Sequence, residues 1–438
     1  MKPARIAGAA ALVAAAALHP GRLVAGPDGE VASAFDPGDP LDVHASIDYR
    51  YSSRRSSLKR ELDGLPGADP NGPTPLVKDL VFEGTRHELV PRVEVGLYTD
   101  LALTVELPLV LRDARRLRFD QRADDCVFAT DPGVATCVDA ANSTTIADGI
   151  LPADGLDAED GGATGGATVF RGVTRAGLDQ LHLGLVWAPT NQARDPSKPT
   201  WKLGTELRVA IGDVMEVDAA TPAREDGVSR GVHELRLFTS MTRRVGWAEP
   251  FFEAWWMGAI GARGRSPLDG PTRNFNADDV GPQQRAGGRF GLELIPWERP
   301  ARDQRIALEL GADIEAMFAG RAYSDMWEVF ALAGGPGGPL QLDADPETEG
   351  QQPLPHPGVT NVEESMTLAA TAAIEAHLAT WLRLDLGLRL AWDQSHLITT
   401  ATTRDNPLQA PLIDQVGHRY RLDESLTYVL TTGLRLLY

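Results

Sequence analysis

Ionisable side chains at every second position carry most of the chemistry this sequence could do. Asp48 and Arg50, Arg92 and Glu94, Glu106, Lys202, Glu206 and Arg208, Glu234 and Arg236, and Glu253 all alternate with apolar neighbours. So do Arg289 and Glu293, Glu309, Asp313 and Glu315, Arg383, Asp385, Arg389 and Asp393, and Arg435. A period of two sends successive side chains to opposite faces of a strand, so each run has one charged face and one apolar face. Carboxylates and guanidinium groups facing each other across a narrow enclosed space would hold water and ions in a strong transverse field, which is the chemistry of a diffusion channel. The same groups could instead pair into ladders that fill the interior. A narrow channel is the expectation, and the filled interior stays open beside it.

Other groupings invite chemistry and offer less of it. Ser395 and His396 are adjacent, which suggests a lipolytic site, but neighbours on a strand point to opposite faces and no supporting amide is evident. No catalytic residue is expected, and the chain reads as a non-enzyme. His182 and His377 are single histidines on polar faces and read as structural. The acidic stretches 154–160 and 343–349 offer hard oxygen ligands without the spacing of a calcium loop, so they read as solvated loops; no metal and no cofactor is expected. The formal charge of -19 leaves no basic stripe to neutralise phosphates, which argues against a nucleic-acid partner.

The elements that would position these groups are strands. Lys2 and Arg5, the uncharged residues 7–18 and Pro20 form the n-region and h-region of a secretory signal peptide, too short to span a membrane as a helix. Ala32, Ser33 and Ala34 give a small-any-small cleavage pattern, so residues 1–34 read as signal and cleavage region, with cleavage after Ala25 as the alternative. In an exported chain the two cysteines, Cys126 and Cys137, are expected to form a disulfide rather than a metal site. Beyond the N-terminus no apolar run reaches the roughly 18 residues that a membrane helix needs.

Residues 41–53 alternate cleanly, and 89–97 and 101–111 form a hairpin about a turn at residues 98–100. Further alternating runs follow, to a total of about twelve strands, with short connections after the even strands and long ones after the odd. Residues 35–438 are therefore expected to be one domain with long loops near 54–87, 113–176 and 318–362. The last of these holds a short helix that Ser324 would cap. Trp187, Trp201, Trp247, Trp297, Trp381 and Tyr438 fall at the short-turn ends of the strands, while Tyr51, Trp256 and Trp392 fall toward the other ends. Two such belts are expected where aromatic rings sit at membrane interfaces.

Residues 425–438 alternate to the final aromatic. Alone they would suit the last strand of a soluble sheet equally well. With the loop pattern behind them they resemble the closing strand of bacterial outer-membrane β-barrels, whose assembly signal matches Thr431, Gly433, Leu436 and Tyr438. The hairpin at residues 93–108 resembles a motif of outer-membrane transporters, among them the family associated with phenol degradation by the meta pathway; Tyr98 interrupts that family's Gly-Leu-Thr-Asp run. The resemblance implies an all-β, antiparallel up-and-down transmembrane barrel in the outer membrane of a Gram-negative bacterium. It implies a monomer inserted by the barrel-assembly machinery, surrounded by lipid and lipopolysaccharide and passing small solutes. A closed barrel that carries extracellular loops for adhesion, partner or lipopolysaccharide binding is the alternative.

Overall fold

Period-two alternation builds, among the described residues, twelve barrel strands that pair with their neighbours in sequence and close into a ring. The computed structural model describes residues 30–438 except 37–38, 65–68, 70–71, 124, 218–220, 222–226, 265, 269–280, 344–351 and 401–409. The strands are β1 (Val43–Glu61), β2 (Leu76–Tyr98), β3 (Leu101–Glu106, continued by Leu109–Phe119) and β4 (Arg175–Leu178, continued by Gln180–Thr190). Then come β5 (Thr200–Ala210), β6 (Val232–Thr242), β7 (Ala248–Ala262) and β8 (Arg285–Arg299). The last four are β9 (Gln304–Met317), β10 (Ser365–Ala379), β11 (Leu382–Asp393) and β12 (Tyr420–Leu437). Pro108 has no N–H for the ladder, and β3 breaks there. β12 closes the ring antiparallel on β1, from Leu437 opposite His44 to Tyr420 opposite Arg60, so no open edge is left between the two strands.

The outward parity is apolar and uncovered. Ile47, Leu103, Leu185, Leu237, Phe252, Leu310, Leu368 and Leu430 are all exposed. A continuous belt of such residues around a closed barrel is a lipid-facing surface, because water would be a poor solvent for it. This is a transmembrane β-barrel of the outer-membrane type. Trp187, Trp247, Trp297, Trp381 and Tyr438 are exposed at the short-turn rim, and Trp392 toward the other. The long connections are on the opposite side from residues 43 and 438, which exchange backbone hydrogen bonds at 2.8 and 2.9 Å.

The wall is uneven in height. β1 has 19 residues, β2 has 23 and β12 has 18, against the 9 to 11 or so needed to cross the hydrocarbon. This corrects the loop expected at 54–87: Arg54 pairs with Gly84, and the ladder runs on to Glu61 opposite Leu76. Above the lipid nothing selects for an apolar outer face, so the alternation fades while the strands continue. For the same reason the loop expected from residue 113 starts only after Phe119.

The raised wall supports a folded cap made from the connections after β3, β9 and β11. Among the described residues it contains three short helices, α1 (Thr144–Ala147), α2 (Trp327–Ala333) and α3 (Pro411–Asp414), and the disulfide joining Cys126 to Cys137. Ile150, Leu151, Phe170, Phe330, Leu340 and Ile413 pack with Leu58, Leu80, Leu117, Tyr420 and Leu422 of the raised strands in one apolar core. Ser324 does not cap the helix. Met326 occupies the N-cap position without a side-chain bond, and only the Ser324 carbonyl takes part, accepting from the Trp327 N–H at 3.1 Å.

Candidate functional site

The barrel interior is charged, and its charges are mostly paired. A cavity of about 230 Å³ in the short-turn half is lined by Asp48, Arg50, Arg92, Glu94, Glu106, Lys202, Glu206, Arg236, Glu253 and Arg435, with His44, Ser46 and Glu30. Ladder register places opposite charges on neighbouring strands. Glu253 and Arg289 are opposite each other on β7 and β8, as Arg236 and Glu206 are on β6 and β5, so guanidinium groups and carboxylates alternate around the ring. Arg236 binds Glu253, Arg208 lies 2.7 Å from Glu206, Arg92 is 3.2 Å from Glu94, and His182 Nδ1 is 3.1 Å from Glu106. Lys202 makes no ion pair among the described residues.

The remaining charged residues of the polar faces sit around this cavity. Arg289 binds Glu309 and lies 3.7 Å from Asp313, which Arg389 reaches at 2.9 Å. That last pair joins β11 to β9 across the small residues Ala369 and Thr371 of β10. Arg285 lies between Glu234 at 3.6 Å and Glu315 at 3.8 Å; Arg305 lies between Glu293 at 3.5 Å and Glu375 at 3.8 Å. A second cavity of about 340 Å³, toward the cap, is lined by Arg54, Glu315, Arg389, Asp393 and His396 among others. Arg54 ties this level to the cap, 2.6 Å from Asp393 and 3.2 Å from Asp325. Asp385 and Asp48 flank Gly433, where a Cβ would overlap both carboxylates. The glycine of the closing strand therefore makes room for the charged interior.

Two bodies close the interior. At the short-turn end, the described residues 30–36 and 39–42 turn inward. Glu30 takes both terminal nitrogens of Arg383, one at 2.8 Å. The Ala32 N–H donates to Glu94 at 2.8 Å, and Ser33 Oγ accepts from the Asp100 N–H at 3.0 Å and from Arg194 at 2.9 Å. Asp100 is therefore more than a turn residue: its carboxylate also accepts from Asn191 at 2.6 Å, tying the β2–β3 turn to the segment that follows β4. Val31 and Ala32 pack on Ala102, Val186, Ala188 and Phe238, and Gly96 is so near that a Cβ would overlap the Ser33 carbonyl. At the other end α2 crosses the mouth. Trp327 lies beneath the guanidinium groups of Arg115 (β3) and Arg175 (β4), Glu328 is 3.1 Å from Arg175, and Phe330 stacks on Tyr420 of β12.

The cap also encloses titratable groups. Burial pushes the Asp414 carboxyl up to about 7, against the pull of the Ala410 N–H and of Arg321. Burial pulls the His356 imidazole down to about 3, with Arg321 adding to the effect, and lowers Arg321 itself to about 10. Among the described residues no group of carboxylates, histidines and cysteines could hold a metal ion. Residues 154–160 are instead organised by Asp157, which accepts the Glu159 N–H at 3.1 Å and pairs with Arg171 at 2.8 Å; residues 344–349 lie outside the described residues. His396 is buried inside the barrel, donating from Nδ1 to the Gln394 carbonyl at 2.8 Å, and no serine hydroxyl bonds its ring among the described residues. His377 Nε2 lies 2.9 Å from the Arg305 Nε–H and 2.7 Å from a Glu375 carboxylate oxygen, one nitrogen that either accepts from the first or donates to the second.

Some of these residues could have been found from the sequence. Arg285 and Arg305 have the parity of Glu293 and Glu309, so extending the alternation by two steps, from Arg289 and from Glu309, reaches both. Glu30, Arg175, Trp327 and Glu328 carry no such signal, since they lie outside the alternating runs or at their margins.

Neither protein-family models nor curated proteins give a match to the sequence. Among solved structures, an outer-membrane channel from Pseudomonas putida F1 is similar at 11% identity over 95% of this chain and 100% of its own, with a TM-score of 0.41. A Pseudomonas aeruginosa FadL homologue is similar at 8% identity over 90% of each chain, TM-score 0.34. The TodX monoaromatic hydrocarbon channel is similar at 9% identity over 90% of each chain, TM-score 0.31. Likenesses this distant carry no inference about cargo.

Proposed function

We propose that this protein is an outer-membrane channel for small hydrophilic solutes, closed in the conformation described, with the described residues 30–36 and 39–42 as a stopper at the periplasmic end. The observation behind this reading is the way the stopper is held. It shares the charged cavity of about 230 Å³ through Glu30 and is fixed mainly by hydrogen bonds and an ion pair that involve side chains, with one backbone bond to the wall, from the Gly96 N–H to the Asp42 carbonyl at 3.0 Å. Contacts of that kind exchange readily for water, and the surface left behind would be a charged, wet passage suited to small polar solutes. Outer-membrane lipid and lipopolysaccharide then surround the barrel, the barrel-assembly machinery inserts it, and the monomer is the working unit. Retention of the stopper requires processing after Ala25, not after Ala34; N-terminal sequencing of the mature protein that began at residue 35 would sink its role.

Planar-bilayer recording of the full mature chain and of a variant lacking residues 30–41 tests the channel. Brief, rare steps are expected from the full chain, and a sustained, many-fold larger conductance from the deletion, with heat-modifiable migration showing that both barrels are folded. Silent bilayers from both would overturn the channel in favour of a closed scaffold. The cap's own apolar core is the observation that supports that second reading.

A further inference from the structure

We infer that the outer wall of β1–β3, just above the aromatic rim on the cap side, is a binding site for the phosphate groups of an outer-leaflet glycolipid; this rests on the transmembrane fold and not on the channel reading. In a chain of net charge -19, a groove of about 750 Å³ on this wall is lined by Arg55, Arg112, Arg116 and Arg171, with only Glu83 and Glu159 as acids. Ladder register assembles it. Arg55 on β1 lies opposite Glu83 on β2, Glu83 opposite Arg116 on β3, and Arg116 opposite Arg171, so one lateral row collects three arginines about a single carboxylate. Glu83 is already shared between Arg116 and, at 2.8 Å, Arg118. Arg171 is 2.8 Å from Asp157, and Glu159 accepts from Thr174 at 3.2 Å. Arg55 and Arg112 are exposed and form no ion pair among the described residues.

The depth fits a headgroup. Arg112 is level with His87 and Tyr51, and Arg55 is four residues beyond Tyr51 on β1, about 13 Å further from the lipid at the rise of a strand. Tyr51 and Tyr428 stand side by side, their hydroxyls 3.4 Å apart, and Leu426 is opposite Arg55 on β12. Apolar groups lie below, the phenols and Arg112 share one level, and Arg55, Arg116 and Arg171 lie beyond with Leu426 beside them, so the guanidinium groups sit at and above the interface, where the phosphates of a leaflet are. Guanidinium groups bind phosphate through paired charge-assisted hydrogen bonds, which suits an anion bearing more than one phosphate.

The test is native mass spectrometry of the full mature barrel in detergent, titrated with a diphosphorylated glucosamine-disaccharide lipid, its dephosphorylated counterpart, or inorganic phosphate. The wild type should retain the phosphorylated lipid. The double variant Arg55→Gln with Arg112→Gln should bind it at least tenfold more weakly, each lost charge-assisted bond being worth about tenfold. Arg299→Gln, at the periplasmic rim, should bind as the wild type does. Equal retention by the wild type and the double variant would overturn the site. So would equal retention of the phosphorylated and dephosphorylated lipids, and inorganic phosphate that competes at comparable concentration would replace the lipid by a free anion. Heat-modifiable migration of the double variant keeps loss of binding separate from loss of fold.

Discussion

The two ends of this barrel are closed by different physics. The cap closes the extracellular mouth with an apolar core in which Trp327 and Phe330 are fully buried and three separate connections interlock. The stopper closes the periplasmic mouth with a dozen residues that bury little more than Val31 and small side chains, and is held by hydrogen bonds and one bidentate ion pair. Apolar burial is lost in an all-or-none way when a cap opens, whereas polar contacts can be traded one by one for water. On the proposed channel reading, the difference makes the cap a folded unit and the stopper the movable part.

The sharpest way to break that contrast is at Gly96. In Gly96→Ala the new Cβ collides with backbone, the Ser33 carbonyl, and no side-chain rotation relieves it. The stopper should leave its seat, and single-channel conductance should approach that of the deletion; a wild-type trace would mean that the segment simply shifts in place. Phe330→Ala probes the other end. It should cost the cap about 3 to 5 kcal/mol, read as faster hydrogen exchange across residues 318–364 while the barrel stays heat-modifiable. If strand amides exchanged equally fast, cap and barrel would be one unit.

Arg383→Gln removes the bidentate partner of Glu30. A loss of about 1.5 to 3 kcal/mol should raise the open population of the stopper tenfold or more, measured as exchange of the Ala32 amide.

The last test concerns the cap alone and reads its stability against pH. Asp414, with its pKa raised from 3.8 to about 7, stabilises the cap fully below pH 4 and loses that contribution as pH rises toward 7. His356, lowered from 6.5 to about 3, contributes fully above pH 6.5 and loses it as pH falls toward 3. The two slopes oppose each other between pH 4 and 6.5, so wild-type cap stability should be nearly flat there. Asp414→Asn should leave a stability that rises with pH across that window, and His356→Asn one that falls. Unchanged profiles in both variants would show that neither group is coupled to cap folding.

Strand parity was legible before any coordinates because lipid and a polar interior impose opposite demands on alternate residues. That pattern placed the hairpin turn at residues 98–100, where the structure has it at Thr99 and Asp100, and it gave the alternation of short and long connections and the closing pair β12 with β1. It failed at residues 54–61 and 76–87, where β1 and β2 rise clear of the lipid and both faces tolerate charge. It also passed over the cap, whose core draws Leu151, Phe330 and Ile413 from connections far apart in the chain.

What the sequence determined by itself is the barrel: the sorting of charge from apolar surface follows from a local period of two, and its closure and orientation from the alternation of short and long connections between such runs. What only the tertiary structure decided is whether the barrel is open. Residues 31–34 are small and unremarkable as a string, with the look of a cleavage site. They become a stopper because Arg383, Glu94, Asp100 and Arg194, distant in sequence, converge where the segment turns in. Occlusion depends on which distant side chains meet in space, and no local pattern encodes that.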